Sequence, residues 1–253
     1  MHARRTMTRL LAVLAPSAGC ALAVSDGRAL PHDYAEVVRL DAPVSYWRFG
    51  DRAGVAKDAV GSADAAYAAA VRLGAAGALA KDDDTAARFD GAGFAAGPDA
   101  YGFFGTSAFS VEVWIAPDAG GLPVQRVCNH RYGTPHTGWL LFVDATKNAV
   151  FERWTKDAVL GRVSAPLAVG RFSHVVVTYD GDALSLFVDG ERRDSVADHG
   201  AIDPFSAPLV WGAASTMVLD FFSGALDEGA IYDRALTPSR VRAHFAAGAR
   251  AEW

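Results

Sequence analysis

The stretch FSHVVVTYDGDALSLFVDGE, Phe172–Glu191, decides how this chain is built. Two runs rich in β-branched and aromatic residues, Phe172–Tyr179 and Leu184–Val188, flank Asp180, Gly181 and Asp182. Such runs read as strands, and an Asp-Gly centre supplies the backbone of a tight turn. The stretch is therefore a β-hairpin.

Working outward, FSVEVWI (Phe109–Ile115) alternates cleanly. Phe109, Val111, Val113 and Ile115 share one face, and Ser110, Glu112 and Trp114 the other, which predicts a half-buried strand with a solvent-facing Trp. Further short strands are read in VSYWRFG (Val44–Gly50), AARFDG (Ala86–Gly91), GWLLFVD (Gly138–Asp144), AVFERW (Ala149–Trp154), APLVWG (Ala207–Gly212) and FFSGALDEGAIYD (Phe221–Asp233). The Ala-rich stretch Val60–Asp84 lacks a 3.6-residue period and contains Gly61, Gly74 and Gly77, so it reads as loops and short strands. One helix is expected, in LTPSRVRAHFAAG (Leu236–Gly248), with Thr237 as N-cap, Pro238 at its first position and Gly248 at its end. Many short strands and one short C-terminal helix predict an all-β antiparallel sandwich. Residues 41–253 contain no low-complexity tract and read as a single domain.

The chain has 253 residues, 51% hydrophobic and 21% charged, with a formal net charge of -5. That suffices for one large core. Mild acidity without a Lys/Arg stripe excludes a nucleic-acid footprint. Residues 1–19 open with Arg4, Arg5 and Arg9 and continue into a short apolar run, Leu10–Ala15, the layout of a secretory signal peptide. The run is far too short to span a bilayer. Its end, SAGC, resembles the lipobox of bacterial lipoproteins, which would make Cys20 the lipidated residue. Cleavage after Ala18 or Ala23 is the alternative. Residues 20–40 read as a lead-in. Cys128, the second cysteine, reads as a buried inert thiol.

Taken in order, SYWRFGD, ARFDG, FSVEVWI, the Phe172–Glu191 hairpin and SGALDEGAIYDRALTPSRVRAHF resemble the laminin-G-like, concanavalin-A-like lectin and glucanase domains. The resemblance implies a jelly roll of two antiparallel sheets. It leaves the function open, because relatives include glycan-binding modules, adhesive domains and glycosidases.

Asp227 and Glu228 bear on that choice. The resemblance implies that a glycosidase of this fold would carry Glu-x-Asp-x-x-Glu on one strand. The glutamates, at positions 36, 112, 152, 191, 228 and 252, never fit that pattern. A regular strand also sends adjacent side chains to opposite faces, so a catalytic dyad is not expected. The resemblance further implies a structural calcium held by Asp227 with Asp51 or Asp58. The alternative is that Asp227 caps backbone amides or pairs with an Arg. Asp82–Asp84 read as a solvated turn or a second, weaker cation site.

Sugar sites combine aromatic faces with polar side chains. Asn129, His130, Arg131, Tyr132, His136 and Trp139 around a Gly/Pro loop have that make-up, with Trp114 and Trp154 as further platforms. The competing reading puts these side chains in packing contacts. His130 and His136 are poorly spaced for zinc. His174 reads as a structural histidine. The expectation is a non-catalytic exported module, lipid-anchored at the cell envelope or free in the periplasm or outside, that recognises a glycan or an extracellular protein. A glycoside hydrolase or polysaccharide lyase, or a purely structural envelope protein, is the alternative.

Overall fold

The computed structural model describes residues 33–68, 70–80, 82–214 and 219–249; the expected signal segment and Cys20 lie outside these residues. In chain order the elements are α1 (Tyr34–Leu40), β1 (Ser45–Trp47), β2 (Val55–Ala56), β3 (Ala65–Tyr67), β4 (Val71–Ala76), β5 (Thr85–Asp90), β6 (Ala95–Ala96), β7 (Phe109–Pro117) and β8 (Val124–Tyr132). There follow β9 (Thr137–Asp144), β10 (Asn148–Thr155), β11 (Ala158–Pro166), β12 (Ser173–Tyr179), β13 (Ala183–Val188), β14 (Glu191–Ala197), β15 (Val210–Trp211), β16 (Ser223–Tyr232) and α2 (Pro238–Gly248).

The strands form two antiparallel sheets. The first runs β14-β13-β12-β7-β16-β5-β4, with β1 also paired to β16; the second runs β11-β10-β9-β8-β15-β6-β3-β2. The all-β jelly-roll sandwich expected from the sequence is the fold. The hairpin that opened the reading is β12–β13, and Asp180 accepts hydrogen bonds from the backbone N–H groups of Asp182 and Ala183. Between the sheets lies one large core, in which Phe109, Val111, Val113 and Ile115 of β7 meet Trp139, Leu141 and Phe151 of the second sheet. Cys128 is buried there as a free thiol, and burial pushes its pKa up.

The outer face of the first sheet departs from expectation in two ways. A second helix, α1, lies in what reads as a lead-in: Asp33 caps it by accepting from the Ala35 N–H, and Tyr34, Ala35, Val37 and Val38 are buried. It shares a second apolar cluster with α2, over Trp114, Val176, Phe187 and Tyr232. Trp114 therefore does not face solvent. It does point away from the main core, as alternation requires, but two helices cover that side, and it is only 3% exposed.

That cluster surrounds a buried carboxylate. Glu112 accepts from the Tyr34 and Tyr232 hydroxyls at 2.8 and 2.6 Å and contacts His174 Nε2 at 2.7 Å and His244 Nδ1 at 3.0 Å. His244 Nε2 lies 2.6 Å from Asp41, which also takes Arg240 Nε at 2.7 Å. A buried charge with this many partners is satisfied. Burial opposes ionisation of Glu112, but the histidines outweigh it and its pKa falls well below the usual range. Burial likewise opposes a charged His244, and Glu112 with Asp41 outweighs that, so its pKa is raised. This network ties α1 and α2 to β7.

Candidate functional site

Three loops converge at one end of the second sheet. They are the β8–β9 turn, the β10–β11 turn and the segment 203–206. The Lys156 N–H donates to Thr137 Oγ1, the Asp203 N–H donates to Thr155 Oγ1, and Lys156 Nζ pairs with Asp203 at 2.6 Å. Between them lies a cavity of about 300 Å³, bounded by Tyr132, Pro135, Thr137, Lys156, Asp203 and Phe205. Gly138 allows this closure: its φ is +122°, and a Cβ there would stand 2.7 Å from the Phe205 ring. Behind the cavity, Phe205 lies edge-on to Phe104 at 5.6 Å, and Phe104 is itself exposed.

The far side of the β8–β9 turn carries a second aromatic face. The Arg131 guanidinium lies 4.9 Å above the Trp154 ring, and His136 meets that ring edge-on at 5.6 Å. Burial and the neighbouring Arg126 lower the Arg131 pKa to about 10, and burial with Arg131 lowers that of His136. Trp154 Nε1 donates to Glu152, which also pairs with Arg162 at 2.6 Å.

Of the eight expected ligand residues, this rim brings four together: Arg131, Tyr132, His136 and Trp154. Three others are packing residues. Trp139 is fully buried and donates to the Tyr101 carbonyl, and Asn129 donates to the Val210 and Ala213 carbonyls and so fixes β15. His130 is sealed, with Nε2 2.8 Å from Asp99. Trp114 is far from the rim, under the helices. Lys156, Asp203 and Phe205 were not anticipated, because nothing local to their sequence marks them as facing Tyr132. Asp99 also accepts from Ser206, so the carboxylate stands between serine and histidine. That order gives Ser206 no base, unlike a nucleophilic triad.

The carboxylates of β16 are brought to the same face after all. A register break between Asp227 and Ala230, with Glu228 at φ 52°, turns both side chains away from the core. Gly229 must lie flat under the aromatic core, where a Cβ would be 2.8 Å from Trp211 and 2.9 Å from Phe49. The expected opposite orientation therefore fails through a bulge. The pair is nonetheless closed to substrate, with Asp227 and Glu228 at 1% and 0% exposure.

The three carboxylates expected at a calcium site are each engaged by protein donors. Asp58 accepts from four backbone N–H groups, of Tyr46, Val60, Gly61 and Ala63. Asp51 accepts from the Lys57 N–H and the Tyr67 hydroxyl. Asp227 Oδ2 accepts from the Ala78 N–H at 2.7 Å, as in the amide-capping alternative, and its Oδ1 has no partner. Burial, then the neighbouring Glu228, raises the Asp227 pKa well above the usual range. Glu228 is lifted by burial to about 7, opposed by Arg48. The Arg48 guanidinium reaches Glu228 at 2.9 Å, Asp84 at 3.0 Å and Asp82, so the Asp82–Asp84 turn is an ion-pair partner of Arg48. Among the described residues no three His, Cys, Asp or Glu side chains gather as metal ligands.

A two-sheet jelly roll with a loop-built rim cavity is the architecture of a lectin-like domain. Residues 82–242 match the Laminin_G_3 family, described as the concanavalin A-like lectin/glucanases superfamily, and the chain belongs to that family. Among solved structures it is similar to the binding domain of Paraclostridial Mosquitocidal Protein 1, with TM-score 0.61, 17% identity, and 81% of this chain and 52% of that one covered. The binding domain of botulinum neurotoxin DC in complex with SialylT gives TM-score 0.63 and 12% identity, over 81% and 51%. Botulinum neurotoxin type C, whose cell entry depends upon interaction with two ganglioside molecules, gives 0.62 and 12%, over 83% and 52%. The chain spans about half the length of these structures, and the likeness is one of fold. No curated protein matches by sequence.

Proposed function

We propose that this domain is a non-catalytic module that binds a glycan through the rim cavity. The observation that carries the reading is the cavity itself. An exposed tyrosine and a phenylalanine face a Lys156–Asp203 pair across about 300 Å³. Aromatic rings pack on the C–H faces of a sugar, and the charged pair bonds its hydroxyls. Binding domains that share the fold, one in complex with SialylT and one dependent on gangliosides, support a sugar ligand. The sealed carboxylates of β16 support a role without catalysis. Export rests on the basic and apolar N-terminal sequence, followed either by anchoring through Cys20 at the cell envelope or by release after cleavage at Ala18 or Ala23.

The test is a glycan array with the full chain, run beside the Tyr132→Ala variant. A sugar-specific signal that the substitution removes supports the reading. A blank array overturns it and moves the assignment to an extracellular protein partner.

A further inference from the structure

A second cavity, of about 490 Å³, opens on the outer face of the first sheet, away from the rim. Its walls come from five separate places: Gly77 and Ala78 after β4, Arg171 and Phe172 before β12, Asp189 in the β13–β14 turn, Phe245 of α2 and Trp114 of β7. Its size lies within the range of small-molecule sites, ~300–1,000 Å³.

The walls are prearranged. Trp114 is held by Tyr34 edge-on at 5.9 Å, by Phe245 stacked at 6.1 Å and by His174 at 5.0 Å. Gly248 lets the end of α2 close over the indole, since a Cβ there would fall 2.6 Å from Trp114 Cζ2. Asp189 is fixed by its own backbone, exchanging hydrogen bonds with His174: its N–H donates to the His174 carbonyl and its Oδ1 accepts the His174 N–H, both at 2.9 Å. Among the described residues its second carboxylate oxygen carries no hydrogen bond. Arg171 is exposed at the mouth and makes no hydrogen bond or ion pair among the described residues.

An unpaired guanidinium beside rigid aromatic walls is not needed for folding. Nine other arginines among the described residues, Arg48, Arg88, Arg126 and Arg153 among them, have a carboxylate within 3.3 Å. Guanidinium matches carboxylate geometry with two parallel hydrogen bonds. Aromatic rings cover the C–H face of a pyranose, and the open oxygen of Asp189 accepts from hydroxyls.

We propose that this cavity binds a carboxylate-bearing sugar, with Arg171 on the acid group, the half-buried Phe172 and Phe245 against the ring over a floor set by Trp114, and Asp189 on its hydroxyls. The proposal rests on reading the domain as a glycan binder but not on the rim cavity.

The test is saturation-transfer NMR and titration calorimetry on the full chain with glucuronic acid, galacturonic acid and N-acetylneuraminic acid, beside neutral glucose and galactose. At least one acidic sugar is expected to bind, and the neutral ones to bind at least tenfold more weakly, a difference of about 1.4 kcal/mol. Arg171→Ala is expected to weaken the acidic sugar by about tenfold or more, with an unchanged melting temperature because the side chain has no partner to lose. Tyr132→Ala is expected to leave this binding intact, which separates it from the rim. Binding of no acidic sugar, equal binding of neutral sugars, or binding insensitive to Arg171→Ala overturns the proposal. Loss of binding in Tyr132→Ala alone assigns the sugar to the rim and also overturns it.

Discussion

Glu112 and His244 form an ion pair inside the protein, 3.0 Å apart and both fully buried. It joins the central strand β7 to α2, and through the Tyr34 hydroxyl it joins α1 to both. Removing one partner of a buried pair leaves the other charge unmatched, typically at about 3–5 kcal/mol. Glu112→Gln is expected to lower stability by that order in urea unfolding, with the jelly roll still formed. A loss under about 1 kcal/mol would mean the network is not what fixes the helices.

The same pair sets a pH dependence. The folded pKa of His244 is raised, so its contribution is fully present below the unfolded value of ~6.5 and is lost as pH rises through the folded value. The groups facing it are Glu112, Asp41, Tyr34 and Tyr232, and Arg240 shares Asp41. Glu112 has the opposite sign: its depressed pKa removes stability only as pH falls below the ordinary carboxylate range. Unfolding free energy measured from pH 6 to 9 should therefore decline, and the decline should flatten in His244→Gln.

Arg48 carries the acidic cluster that would otherwise attract a cation. Arg48→Met should destabilise by about 3 kcal/mol, because Glu228 then stays buried with the Tyr46 hydroxyl but without its cation. Melting curves of the native chain and of the variant should each be the same in calcium and in EDTA. Recovery of the variant by calcium, or a drop of the native chain in EDTA, would sink the metal-free account.

Gly229 is constrained by its neighbours. Gly229→Ala forces a methyl group into Trp211 and Phe49, and overpacking of this kind destabilises by ~1–3 kcal/mol. Gly54→Ala meets nothing within 4 Å and is the control. Equal effects of the two would mean the bulge relaxes freely.

Trp114 and Tyr132 separate packing from recognition. Trp114→Ala should cost about 3–5 kcal/mol of stability, as for a buried aromatic. Tyr132→Ala should leave the melting temperature within about 1 °C, since exposed substitutions rarely matter, and should weaken rim binding by at least about fivefold.

What the sequence revealed depended on how local the signal was. The β12–β13 hairpin and the Thr237 cap of α2 are written in contiguous residues, and both are present; the Thr237 side chain accepts from the Arg240 N–H. The signal for α1 was there too, with Asp33 at the cap and Glu36 three residues on, but a seven-residue helix is stabilised by tertiary contact more than by its own pattern. Alternation correctly turned Trp114 from the core yet could not say what lay beyond it. At the rim, Tyr132 was legible as an aromatic in a Gly/Pro loop. Lys156, Asp203 and Phe205 were not, because they reach it from other turns. The bulge at Glu228 was hidden for another reason: the next residue, Gly229, packs against Trp211, eighteen positions from it in the chain.

The order of strands also fixes when the domain is able to fold. β16, which follows every other strand of the first sheet in chain order, lies in the middle of that sheet and joins β7 to both β5 and β1. Until Tyr232 has been synthesised, the strands on its two sides have no common neighbour to hold them in one sheet. At ~5–20 residues per second, closure of this sheet therefore waits until β16 has followed β7 out, a keystone placed after the stones it locks.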